Sequence, residues 1–158
     1  MLVTDRKYPM VAKHDIKCFK VLVEFNGNFY VCPPAYQYFL QNNIPLDEYH
    51  LNTLYSEKSN DSKKDYRKDW TIWEWFFHAF CDIESALDFM DYMNKKIKNP
   101  TYTKHPELYK IPHGARLTIL SAHIPKWSLY YEGIYEEINT EKTYASNNIV
   151  YNGVCDNL

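Results

Sequence analysis

Trp70-Thr71-Ile72-Trp73-Glu74-Trp75-Phe76-Phe77-His78-Ala79-Phe80-Cys81 is the stretch on which the fold turns. With a helical period, Trp70, Trp73, Phe77 and Phe80 would share one face; with a period of two, Ile72, Glu74, Phe76, His78 and Phe80 would. Aromatic and β-branched side chains lose rotamer freedom against a helical turn but pack well on a pleated surface, so the stretch reads as a buried strand. A helix follows it. Asp82 can cap an apolar stripe of Ile83, Leu87, Met90, Met93 and Ile97. Glu84 favours the positive end of the helix dipole, Lys95, Lys96 and Lys98 the negative end, and Asn99-Pro100 stops the helix.

Upstream, Ile16 to Phe25 and Asn28 to Cys32 read as a hairpin about Asn26-Gly27, the pair suited to the positive φ angles of a type I′ turn. That register sets Cys32 opposite Val21 and Cys18 opposite Ala35, so Cys18 and Cys32 cannot form a disulfide. Pro33-Pro34 ends the return strand. Ala35 to Asn42 fits a short helix and Pro45 the start of another. Residues 56–69, SEKSNDSKKDYRKD, hold one aromatic and no aliphatic side chain; they read as a solvated loop, either an insertion or a segment ordered by a partner. Downstream, Arg116 to Ile124, Ser128 to Glu136 and Lys142 to Val154 read as three strands of a C-terminal meander. The expectation is a single α+β domain over residues 1–158, in which a mainly antiparallel sheet packs against one main helix at about 83–98.

Length and composition narrow the function classes. The chain has 158 residues, 46% hydrophobic and 24% charged, which excludes wholesale disorder. Net charge is −2, so no global field draws it to extended nucleic acid or to an anionic membrane. There is no apolar run long enough to span a bilayer, and Met1 to Lys7 lacks the order of a secretory signal. The four cysteines show no CxxC spacing, so a cytosolic protein with reduced thiols and no metal is expected. Lys, Asn, Ile and Tyr, all read from A/T-rich codons, are abundant, as in a low-GC genome.

Candidate chemistry is sparse. His78 lies four residues from Glu74; the two would touch on a helix but stand about 13 Å apart on a strand. It reads either as a base or ligand contact, or as a core histidine satisfied by a carbonyl. The six histidines have no metal-binding spacing, and no nucleophile elbow, P-loop or dinucleotide fingerprint occurs. Arg116 could clamp a phosphate or carboxylate, or sit on a strand surface. Fifteen tyrosines offer rigid, amphipathic contact area that also stacks on bases. Tyr130, Tyr131, Tyr135, Tyr144 and Tyr151 all fall in the expected meander, where alternation would leave some facing outward. No catalytic residue and no cofactor is expected.

Three short patterns carry a resemblance: Phe77-His78-Ala79-Phe80, then Ile124-Pro125-Lys126 with Tyr130-Tyr131-Glu132-Gly133, and Tyr144-Ala145-Ser146-Asn147 with Ile149. Together, over residues 70–152, the chain resembles small uncharacterised proteins of tailed phages of low-GC gut bacteria. It departs from the pattern at Phe76 and Trp127, where glycine would be expected. The resemblance implies a location in the host cytoplasm or the virion. With it, three functions are open. The first is a non-enzymatic accessory protein that binds a host protein or a small nucleotide through an aromatic surface, with His78, Arg116, Tyr130, Tyr131, Glu132 and Tyr144 as contacts and counter-defence as a purpose. The second is a minor virion or assembly protein, a homo-oligomer or part of a larger phage assembly. The third is an ADP-ribosyltransferase-like enzyme using Glu132 with His78, although no arginine lies in Ile16 to Phe25 to complete it.

Overall fold

Alternation and turn chemistry lay down the strands, and pairing between distant segments assembles them. The computed structural model describes residues 2–41, 61–72, 76–135 and 142–155. Ten strands run among these residues: β1 (Leu2–Val3), β2 (Met10–Val11), β3 (Ile16–Phe25), β4 (Asn28–Tyr30), β5 (Thr71–Ile72), β6 (Phe77–Phe80), β7 (Arg116–Ile124), β8 (Leu129–Tyr135), β9 (Lys142–Ser146) and β10 (Val150–Val154). Two α-helices join them, α1 (Ala35–Gln41) and α2 (Ile83–Lys98). Every pairing is antiparallel, and the sheet is open, in the order β10-β7-β3-β6-β9-β8-β1-β5. The protein is therefore α+β, an antiparallel sheet with one main helix. The Pro45 helix, residues 56–60 and the Trp73–Glu74–Trp75 centre of the aromatic run lie outside the described residues.

The β3–β4 hairpin turns on Asn26 and Gly27, with φ of 52° and 79°, and pairs Phe25 with Asn28 and Val23 with Tyr30. Beyond the last pair, Cys32 still lies against Val21, its Sγ donating to the Val21 carbonyl at 3.3 Å. Cys18 is opposite Ala122 of β7 rather than Ala35, because the hairpin ladder stops at Tyr30. In the C-terminal third, β8 and β9 are sequential neighbours, whereas β7 lies between β3 and β10. The expected strand from Lys142 to Val154 divides in two. At the division, Ser146 Oγ sits 2.8 Å from the Leu129 carbonyl and Asn147 Oδ1 accepts the Leu129 amide at 3.0 Å. Those bonds hold the chain to β8 while it leaves for the far edge of the sheet.

Both faces of the sheet are covered. On one, Phe80, Val21, Val23, Leu117 and Ile119 meet Ala86, Phe89 and Met93 of α2. The helix begins as expected, with Asp82 Oδ1 accepting the Ser85 amide at 2.7 Å. Its buried line runs through Ala86, Phe89 and Met93, while Ile83, Leu87, Met90 and Ile97 flank it half-buried. Phe89 takes the centre because its ring reaches Phe80 at 5.0 Å and Tyr135 at 5.1 Å. The same face continues into a second cluster, where Leu2, Ile72, Phe76, Tyr131 and Ala145 pack with Tyr66. The opposite face buries Cys18, Phe77, Ala79, Ala122, Ile124 and Ile149 with Tyr36 of α1. Among the described residues no helix is long and apolar enough to cross a membrane.

Candidate functional site

The six residues singled out from the sequence form no single cluster: Tyr130, Glu132 and Tyr144 lie together on one face of β8 and β9, while His78, Tyr131 and Arg116 lie apart from them. Residues paired across a sheet share a face and neighbours along a strand alternate, so the pairs of Glu132 with Tyr144 and of Tyr144 with Ala79 put Glu132 on the face opposite His78. The transferase-like arrangement of His78 with Glu132 is therefore not assembled. Arg116, at the start of β7, lies opposite Glu24 of β3 and donates to its Oε2 at 3.3 Å. Its side chain is exposed on the strand surface.

His78 Nε2 lies 2.8 Å from the Ile72 carbonyl, so the ring donates there as the neutral tautomer. Burial, with the nearby Lys20 ammonium adding to it, pushes its pKa down to about 3. That is the core histidine satisfied by a carbonyl. Lys20 in turn donates to the His78 carbonyl at 2.6 Å. It supplies a partner where β6 has separated from β3, which pair only at Phe19 and Phe80.

The tyrosines are mostly packed. Tyr131 is wholly buried; its hydroxyl donates to the Lys7 carbonyl at 3.1 Å and accepts the Tyr66 amide at 3.2 Å. Tyr130 and Tyr144 meet edge to face at 5.9 Å, and Tyr135 packs on Phe80. Burial, with Cys81 and Glu132 beside it, raises the Tyr144 pKa, so its phenol stays protonated. Tyr131 is buried and Tyr130, Tyr135, Tyr144 and Tyr151 are half-buried, so these strands present tyrosine to solvent only in part.

The exposed aromatic surface is elsewhere. Trp70 is 61% exposed and Trp127 64% exposed. Both hold positive φ angles, 71° and 76°, a conformation that costs a bulky L-residue energy and persists where neighbouring contacts impose it. The contacts are main-chain bonds to the N-terminal segment: Thr4 N donates to the Trp70 carbonyl at 2.9 Å, and Trp127 N to the Ala12 carbonyl at 2.8 Å.

Around Trp70 the surface is built from two segments, residues 4–8 and 61–70. The Arg67 guanidinium lies 4.9 Å from the Trp70 ring centroid. It is fixed there by Asp65, at 3.1 Å from Nε and 3.2 Å from Nη2, and by the Asp5 carbonyl at 3.1 Å. The hydrogen bond from Arg67, its largest influence, holds the Asp65 carboxyl below its ordinary pKa. Lys64 sits over Tyr66 and Lys7 over Tyr8, each at 5.3 Å. Tyr66 reaches inward to Phe76 at 4.9 Å and so anchors the loop. Residues 61–69 thus rest against the edge of the chain's own sheet. Arg6, Lys7, Lys63, Lys64, Arg67 and Lys68 outnumber Asp5, Asp61, Asp65 and Asp69 over this surface.

Composition concealed this site, because residues 56–69 contain almost nothing apolar. The signal available was the interleaving of cations with rings in Arg6-Lys7-Tyr8 and Tyr66-Arg67-Lys68-Asp69-Trp70. Among the described residues, no group of three or more His, Cys, Asp or Glu side chains is placed to hold a metal ion. No protein-family model, curated protein or solved structure matches the chain.

Proposed function

We propose that the chain is a non-enzymatic accessory protein of a tailed phage that binds a small nucleotide on the Arg67–Trp70 surface, as a device against a host defence that uses such a ligand. The observation that carries this reading is the exposed Trp70 indole, backed by a fixed guanidinium on a surface whose two segments also carry exposed Arg6, Lys7 and Lys64. An indole held in place gives a base a stacking platform at little entropic cost, worth roughly 1–3 kcal/mol per base. Arg67 is committed to Asp65 and Asp5, so its part is to position the ring. Arg6, Lys7 and Lys64 are exposed and supply charge for phosphates. This local surplus answers a small anion within a chain whose net charge is −2. The separation of His78, Arg116 and Glu132 supports the non-enzymatic part of the reading.

Native mass spectrometry of the untagged protein, after incubation with mixed ribonucleotides and cyclic oligonucleotides, tests it. The expected spectrum shows one added mass of a few hundred daltons per chain, lost in W70A. A spectrum without adduct, from a protein that instead assembles into particles, would support a minor virion role and overturn the proposal.

A further inference from the structure

We propose that Cys18 and Cys81 form a reversible cross-strand disulfide when the protein meets hydrogen peroxide. Phe19 of β3 is opposite Phe80 of β6, so one step along both strands sets Cys18 opposite Cys81. The Cys81 amide is directed away from β3, donating to the Lys142 carbonyl of β9 at 3.2 Å. Amides alternate along a strand, so Phe80 directs its own toward β3. Phe19–Phe80 is then the hydrogen-bonded pair, and Cys18–Cys81 the pair without hydrogen bonds. In that kind of pair opposite side chains come closest, with Cα atoms about 4.5 Å apart. This lies inside the roughly 4.4–6.8 Å range that a disulfide spans.

Both thiols are free, Cys18 buried and Cys81 half-buried, and Cys81 is among the charges acting on Cys18. Burial pushes each thiol up to about 12. Around the pair stand Lys20 beside Cys18, and Tyr144, Glu132, Asp82 and Lys142 beside Cys81. The half-exposed Cys81 is the thiol that peroxide reaches. Its sulfur attacks the peroxide, giving a sulfenic acid and one water. The Cys18 sulfur then displaces the hydroxyl, which leaves with a proton as a second water. Two thiols lose two electrons and two protons, and the peroxide is reduced. The bridge would fasten β3 to the residue before Asp82, the cap of α2.

The test uses C32S/C155S, which leaves only this pair, treated with hydrogen peroxide under native conditions. The expected product is lighter by about 2 Da, reverts with dithiothreitol, and unfolds several degrees higher than the reduced form. Its rate of formation rises about tenfold per unit between roughly pH 7 and 9, as the thiolate fraction does. Peptide mapping of the oxidised unsubstituted chain gives the same Cys18–Cys81 link and keeps the test open if the double variant fails to fold. Oxygen addition without mass loss, a link between other cysteines, or a bridge that lowers the melting temperature would overturn the proposal.

Discussion

Tyr131 shows what one hydroxyl can organise. Its ring fills the cluster of Leu2, Ile72 and Phe76, and its oxygen joins Lys7 on one segment to Tyr66 on the other. Tyr131→Phe keeps the ring and strands both partners; urea unfolding should show a loss of about 1–2 kcal/mol. A change within error would mean that the two loops are held without it. His78 makes a prediction about pH. Its folded pKa of about 3 lies below the unfolded value near 6.5, so between these limits the unfolded chain binds the extra proton. The stability this residue contributes is complete above pH 6.5 and is lost as pH falls toward 3. Urea midpoints should therefore fall from pH 7 to pH 4.5, and less steeply in H78Q, which keeps a donor for the Ile72 carbonyl. Equal slopes would show that another group carries the dependence. Neither role was fixed by residue type, since the same two side chains can also be read as ligand contacts and only the fold shows which carbonyls they meet.

At the scale of elements, Gly133 sets the seat of β1. A Cβ there would stand 2.3 Å from the Val3 carbonyl and 2.9 Å from the Leu2 side chain, so β1 and β8 approach closely only because this residue has none. Gly133→Ala should cost more than about 2 kcal/mol by thermal or urea unfolding and loosen residues 2–8 in hydrogen exchange. An unchanged melting temperature would contradict the close approach. Elements governed by local chemistry were legible in the sequence. Asn26-Gly27 specified the hairpin, and Asp82 and Asn99-Pro100 bounded α2. The inward line of α2 was less so, because a helix with half-buried flanks has apolar residues on more than one side, and Phe89 won the centre through rings on strands far away in sequence. The partners of β7 were hidden for a related reason. A strand buried on both faces carries no alternation to say which neighbour it takes, and β3 and β10 are chosen by the packing of the whole sheet.

In the whole molecule, two short segments distant in sequence, residues 4–8 and 61–70, meet at one sheet edge and hold out an exposed indole backed by a guanidinium. The sequence displayed the parts, Arg6-Lys7-Tyr8 and Tyr66 to Trp70, without their meeting, since nothing in a polar loop announces that its one tyrosine is an anchor. On β8 and β9 the tyrosines are engaged by neighbours that sequence spacing does not reveal: Tyr131 is held by Lys7 and Tyr66, and Tyr130 and Tyr144 lie edge to face and half-buried. The central claim is that the Trp70 indole is a binding platform rather than an exposed accident of the turn. Tryptophan fluorescence titrated with nucleoside triphosphates and with short cyclic oligonucleotides, in the unsubstituted chain, W70A and W127A, tests this most directly. Saturable quenching is expected that weakens with added salt, survives in W127A and is lost in W70A while the melting temperature of that variant stays within a few degrees. Quenching that persists in W70A, or none with any nucleotide in the unsubstituted chain, would contradict it.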